Sequence, residues 1–361
     1  MFKNLVLSLL LPSLFFLIGC RGIKEENKEN KEVKERVQSI YFDNSIAIEV
    51  AKEYMEALKD NNIDKIKVLS DKDIEKSIKV LPNKSCKIGG IKLISTAQMG
   101  NKTLFKFNIT RNRIGEPNST LEEYYLEVMK NKEGEYKVSK LKSKELYEVF
   151  LEGDRLKLRK DNEVSLGNLI DLKSLPDKIY PKVNLIDITK VSVPKEKFSP
   201  LEISFSGDKV AISTLGGEDS YIGIVEVQDS KETLAKEGEE GEEEVKEEKE
   251  DKNVGKNIVS LDVLKGCKVS SLNFSGDDLY LIVNYIKGGA TRFKIYETSG
   301  NIISLDLEDK FSEEEYNVIY EKIKNNEIII NVTKILEEKN DESDLTGRYK
   351  ISLKDFKLEK L

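Results

Sequence analysis

Apolar and polar positions change their rhythm several times along the chain. Leu5 to Ile18 is an apolar run of 14 residues, interrupted only by Ser8, Pro12 and Ser13 and closed by Gly19 and Cys20. Charged residues then follow with almost nothing apolar: Lys24 to Arg36 holds five acidic and five basic side chains and one apolar residue, Val33. From Asn44 a helical period appears, with Ala47, Val50, Ala51, Tyr54 and Leu58 on one stripe after an Asp43-Asn44-Ser45 cap region. That helix runs out at Asp60-Asn61-Asn62, and a second short helix is expected from about Asp71 to Lys79. The period then shortens to two. Strands are expected at Ser85 to Thr96, Lys102 to Asn112, Leu121 to Asn131 and Tyr136 to Ser143, separated by Met99-Gly100-Asn101, Gly115-Glu116-Pro117-Asn118 and Lys132-Glu133-Gly134. Helices followed by an antiparallel meander predict an α+β domain over 41–146, its helices packed on one sheet face.

The remainder, 147–361, is repetitive and all-β. Ile203-Ser204-Phe205-Ser206-Gly207-Asp208 matches Leu272-Asn273-Phe274-Ser275-Gly276-Asp277, and each reads as a strand entering a tight turn. This alignment makes Phe205 and Phe274 equivalent core positions and gives Gly207 and Gly276 the same left-handed turn conformation. Asn257-Ile258-Val259-Ser260-Leu261-Asp262 matches Asn301-Ile302-Ile303-Ser304-Leu305-Asp306 at a spacing of 44. The turns lie 69 apart, and the excess falls in the acidic stretch between them. A disordered acidic insert at about 230–256 is therefore expected within one repeat. A 40–45-residue unit with about four strands is the period of a propeller blade.

Charge and composition narrow the chemistry. The formal net charge is −7, and Lys236 to Asp251 alone carries ten acidic residues and three lysines. The rest is balanced, so no basic face and no nucleic-acid partner is expected. Histidine is absent from all 361 residues. That excludes His-based triads and His-ligated metals, and no catalytic residue, metal or cofactor is assigned. Glu122/Glu123 is one of many adjacent carboxylate pairs that 66 acidic residues produce by chance. Asp341-Glu342-Ser343-Asp344 lacks the glycine and closing glutamate of a calcium loop. Cys86 and Cys267 fall in different expected domains; free thiols and a cross-domain disulfide both remain open.

Three resemblances add to these readings. Lys3, the apolar run and Leu17-Ile18-Gly19-Cys20 resemble a bacterial lipoprotein signal, in which the cysteine is acylated and becomes the first mature residue. The resemblance implies a signal peptide over 1–19, a lipidated Cys20, a charged tether over 20–40 and a place on the extracytoplasmic face of the cell membrane. Bound acyl chains contribute about 0.8 kcal/mol per buried CH₂. The helix-then-meander order over 44–145 resembles the cystatin-like cone of nuclear-transport-factor-2-type domains. In that family a curved sheet encloses a pocket, which would be lined here by Tyr54, Tyr124 and Tyr125. Phe198-Ser199-Pro200 through Thr214 resembles blade starts of WD-repeat-like and TolB-type propellers. The expected function is a lipid-anchored binding or scaffolding protein of the cell envelope, without catalysis, its partner a protein or an envelope polymer. The alternative is a carboxylate-dependent hydrolase acting on glycan or peptide.

Overall fold

The structure is a computed structural model. It describes residues 42–75, 85–161, 166–182, 189–228, 252–305, 307–324, 326–336 and 345–361. Cys20, the charged tether, Lys236–Asp251 and the Asp341–Asp344 turn lie outside the described residues. Asn44–Leu361 forms one compact unit. Among the described residues no helix is long and apolar enough to cross a membrane.

Three short helices come first: α1 (Asn44–Lys59), α2 (Ile63–Leu69) and α3 (Lys72–Glu75). The stripe expected on α1 is buried through Ala47, Ala51, Tyr54 and Leu58. Asn61 turns the chain with a φ of 51°, and the Asn62 side chain caps α2 by accepting from Lys65 N at 3.0 Å. Strands follow almost without interruption. β1 (Cys86–Met99), β2 (Lys102–Arg113), β3 (Asn118–Lys130), β4 (Tyr136–Glu152), β5 (Arg155–Lys160) and β6 (Leu166–Asp171) form an antiparallel run. β7 (Lys178–Ile179) and β8 (Val191–Ser192) pair separately.

Three four-stranded antiparallel sheets complete the molecule. The first holds β9 (Lys197–Ile203), β10 (Lys209–Gly216), β11 (Asp219–Val227) and, after β12 (Lys252–Asn253), β13 (Gly255–Leu264). The second holds β14 (Cys267–Phe274), β15 (Tyr280–Lys287), β16 (Ala290–Glu297) and β17 (Ile302–Ile303). After the single turn α4 (Leu307–Lys310), the third holds β18 (Tyr316–Lys324), β19 (Glu327–Lys334), β20 (Gly347–Ser352) and β21 (Leu358–Lys360).

The middle strands of these sheets bury both faces. In β10, Val210 and Ile212 join the core shared with β3–β6 of the seven-stranded sheet, while Ala211 between them joins the core shared with β14–β17. In β15, Leu281 and Val283 face back and Ile282 faces forward to β18–β20. A strand buried on both sides reads as a nearly continuous apolar run, which explains "VAIST" and "LIVNYI". The result is a propeller-like, all-β succession of sheets.

The expected α+β domain is not formed. β4 runs through residue 146 to Glu152, and the sheet continues over β5 and β6 to β12 as seven strands. Leu121 and Val149 share one core with Ile203 and Val210. The alternating pattern that makes β4 does not stop at the proposed boundary, so the sheet passes without a break into β5 and β6 and Leu121 of the meander shares its core with β9 and β10. The described chain is mostly strand, and the cystatin-like cone is overturned with the domain.

The repeat is present, but its turn is shifted by two residues from the sequence alignment. Ser204 N donates to Lys209 O at 2.9 Å, and Ser275 N donates to Tyr280 O at 2.8 Å. Ser204 therefore corresponds to Ser275, and Ile203 to Phe274. Phe205 lies within its turn, whereas Phe274 ends β14, although both are 4% exposed. The left-handed position is taken by Gly207 (φ 78°) in one turn and by Asp278 (φ 58°), not Gly276, in the other. Asp tolerates that conformation through local hydrogen bonding. The second match holds: Val225 pairs with Ile258 and Tyr296 with Ile302, so the Asn-Ile strands are equivalent. The residues in these pairs are 33 and 6 apart in the chain, an excess of 27 (33 less 6).

The end of that excess is structural. Lys252 and Asn253 pair in parallel with β6. Val254 N donates to Asn168 O at 2.9 Å, and Gln228 N to Val254 O at 2.8 Å. Replacing residues 230–250 by Gly-Ser-Gly should leave the thermal midpoint within about 1 °C, whereas extending the deletion through Val254 should lower it by about 3 °C, on the order of 2 kcal/mol in a unit of this size. Scanning calorimetry of the two deletions checks this.

Gly207→Ala meets both a positive φ and the Tyr147 ring, 2.6 Å from the new Cβ. It should cost about 1–3 kcal/mol. Gly276→Ala, with nothing within 4 Å, should stay within about 0.5 kcal/mol in urea unfolding.

Candidate functional site

A groove of about 250 Å³ opens where β13, β14, β15, β16 and α4 meet. Val263, Leu264, Cys267 and Tyr285 give it an apolar base. Lys265, Lys287, Lys294, Glu308 and Glu313 bring charge to it. Strand ends and α4 project these long side chains, while the inward positions of β14 and β15 fill the core below. Lys287 Nζ lies 2.8 Å from Glu313 Oε2, and Lys294 Nζ lies 3.5 Å from Glu308 Oε1. The Glu313 hydrogen bond raises the Lys287 ammonium above its ordinary range.

Cys267 Sγ donates to Lys265 O at 3.2 Å, and burial pushes its thiol up to about 11. A thiol of that kind is a poor nucleophile near neutrality. Cys86 in β1 and Cys267 are both free. Burial also raises the Tyr285 phenol. Asp262, next to the groove residue Val263, is a structural acceptor. It takes Lys182 N at 3.0 Å, Val263 N at 2.8 Å and the Tyr296 hydroxyl at 2.9 Å, and burial raises its carboxyl.

A second polar cluster sits where β1, β2 and β9 converge. Glu202, 1% exposed, accepts from Thr110 Oγ1 at 2.5 Å and from the Asn112 amide. Gly89 allows this approach, since a Cβ there would lie 2.7 Å from Glu202 Oε1. Desolvation raises the Glu202 carboxyl to about 7 against those two hydrogen bonds and the charge of Lys59. Lys59 is itself lowered by burial. Burial first, and Glu202 next, raise the Tyr320 phenol of β18. Asn112 Oδ1 and Asn108 Oδ1 are buried without a hydrogen-bond partner.

The three tyrosines expected to line a pocket do not share one face of the sheet. Tyr54 is 1% exposed within the helical stripe. Its hydroxyl is raised by burial against a hydrogen bond with Ser70. Tyr124 accepts from Arg111 at 2.6 Å, and its phenol is raised by burial. Tyr125 is 46% exposed and donates to Glu123. Neighbours on a strand point to opposite faces, which separates Tyr124 from Tyr125. The same rule parts Glu122, paired with Arg111, from Glu123, paired with Lys106. The groove charges lay outside the sequence reading, because β15, β16 and α4 bring them together. Glu202 did leave a signal: one carboxylate between apolar neighbours in "PLEISF". Among the described residues no group of three or more His, Cys, Asp or Glu could hold a metal ion.

Glu202 gives a pH dependence with a definite sign. Its folded-state value lies above the ordinary 4.5, so folding favours the protonated form. The contribution is fully present below about pH 4.5 and is lost as pH rises to about 7. Glu202→Gln can donate to the unpartnered Asn112 Oδ1. It should be more stable than the parent at pH 8, by on the order of 3 kcal/mol, and the difference should shrink towards pH 5. Chemical unfolding of both proteins across that range measures it; parallel curves would contradict the assignment.

No protein-family model and no curated protein matches the sequence. Among solved structures, Hsv2 of Kluyvelomyces marxianus is similar over 70% of this chain and 80% of its own, at 8% identity and a TM-score of 0.26. Hsv2 of Kluyveromyces lactis is similar over 67% and 78%, at 9% identity and a TM-score of 0.22. TolB from Acinetobacter baumannii is similar over 58% and 53%, at 11% identity and a TM-score of 0.19.

Proposed function

We propose that this protein is a lipid-anchored binding or scaffolding protein on the extracytoplasmic face of a bacterial cell membrane. Cys20 is the acylated residue in this reading, supported by the lipobox-like Leu17-Ile18-Gly19-Cys20 that ends the apolar run. The groove beside Cys267 is where a protein or envelope-polymer partner is held. One observation carries the binding role: both of its carboxylates, Glu308 and Glu313, are engaged by lysines. Fixed charge pairs beside an aromatic ring present a recognition surface. A carboxylate-dependent hydrolase instead needs one acid and one base free to exchange protons across about 5–10 Å.

Cys20→Ala should move the protein from the membrane fraction to the soluble fraction of its host; unchanged membrane retention would remove the anchoring reading. Lys287→Glu with Lys294→Glu should lower recovery of the native partner at least tenfold in affinity capture from solubilised membranes. Release of sugar or amino ends from purified envelope polymer, lost in Glu308→Gln or Glu313→Gln, would favour the hydrolase.

A further inference from the structure

The seven-stranded sheet has longer strands than the sheets stacked beside it. Its strands β1 to β4 have 14, 12, 13 and 17 residues. β9, β10, β14 and β15 have seven or eight. One face of the long sheet is therefore covered over only part of its length. At the covered end, Asn108 Nδ2 donates to Phe205 O at 2.8 Å, Thr110 holds Glu202, and Ser119 Oγ accepts from Ile203 N at 3.1 Å. Along β2 the same face continues past Asn108 to Lys106, Leu104 and Lys102, where the neighbouring sheets no longer reach.

Strand register shows what that overhang presents. Directly paired residues share a face. Leu104 pairs with Glu127, which pairs with Lys140; Lys106 pairs with Tyr125, which pairs with Lys142; and Glu123 pairs with Lys144. Together with Lys102 this places five lysines and two glutamates on one face, with Asp161 2.8 Å from Lys144, so positive charge exceeds negative by two (5 less 3). The glutamates lie low, 8% and 7% exposed, while the side chains of Lys140 and Lys144 are 65% and 52% exposed. Three apolar side chains stand among them: Leu104, Tyr125 and, on β1 opposite Lys102, Met99, at 38%, 46% and 55% exposure.

We propose that this overhanging face docks on an anionic lipid bilayer. Two features of the surface favour that occupant. The ammonium groups complement lipid phosphates, and Met99, Leu104 and Tyr125 suit the boundary between headgroups and acyl chains, where lysine stems also lie along apolar surface. A soluble polyanion would use the lysines and leave the apolar side chains idle. The choice of a membrane as occupant rests on the anchoring reading; the charge and apolar pattern do not.

Vesicle sedimentation tests the docking without the anchor. The chain from Arg21 onward keeps the whole compact unit and lacks both Cys20 and the apolar leader. With vesicles of phosphatidylcholine carrying one-third phosphatidylglycerol it should partition at least tenfold more strongly than with phosphatidylcholine alone, and added salt should weaken the binding. Lys140→Gln, Lys142→Gln and Lys144→Gln together should remove most of that preference, while Lys173→Gln, on an exposed side chain elsewhere, should not. Leu104→Ser with Tyr125→Ser should weaken binding severalfold, with thermal unfolding reporting that each variant folds. Equal partitioning of parent and triple variant would overturn the proposal. So would binding to single-stranded DNA or polyphosphate at least as strong as to the anionic vesicles, unaffected by Leu104→Ser with Tyr125→Ser. Because Cys20 is absent, failure here leaves the anchoring test untouched, and failure of Cys20→Ala to release the protein leaves the vesicle result standing.

Discussion

Each middle strand has two apolar faces, and no sheet can cover both by itself. Val210 and Ile212 need the seven-stranded sheet, Ala211 needs β14–β17, and Ile282 needs β18–β20. Hydrophobic burial is non-directional, so it draws sheets together without fixing how they align. Alignment comes from polar contacts at strand ends. Asp278, in the turn of one sheet, accepts from Phe205 N and Ser206 N in the turn of the previous one, each at 2.9 Å. Asn273 donates to Gly89 O at 3.3 Å. At the other end of the chain, Lys322 in β18 meets Glu56 in α1 at 3.0 Å.

The chemistry of the molecule gathers at those strand ends. Apolar side chains occupy the middle of each interface, so titratable groups are left to the margins where sheets converge. Some margins are closed. Glu202 is desolvated between β2 and β9, and its raised carboxyl is the cost of using an ionisable group to join two sheets. Others are open. Beside Cys267 the convergence leaves a groove, where Lys287 and Lys294 are paired with Glu313 and Glu308.

The same stacking leaves the overhang uncovered. Strands of 12 to 17 residues beside strands of seven or eight cannot be matched along their length. The surplus face carries lysines where the covered part carries Asn108, Thr110 and Asn112. Which residues are polar on that face thus follows from how far the neighbouring sheet extends.

Local pattern along the sequence determined the helix of α1, the strand positions and the 44-residue equivalence of Asn257 with Asn301, because each depends on a period readable within about ten residues. Tertiary structure decided the rest. Turn register depended on hydrogen bonds closing at Ser204–Lys209 and Ser275–Tyr280, so the shared Phe-Ser-Gly-Asp letters misaligned Phe205 with Phe274. The boundary at residue 146 dissolved because Leu121 and Val149 share a core with residues some 50 to 90 positions later. The basic face was invisible in the linear charge balance: its lysines occupy alternate positions on β2 and β4, among residues that point the other way. The groove was equally hidden, since Cys267, Lys287 and Glu313 come from separate segments. A sequence records periods along one strand, but a face or groove is a property of several strands set side by side, and only their pairing and stacking bring it into being.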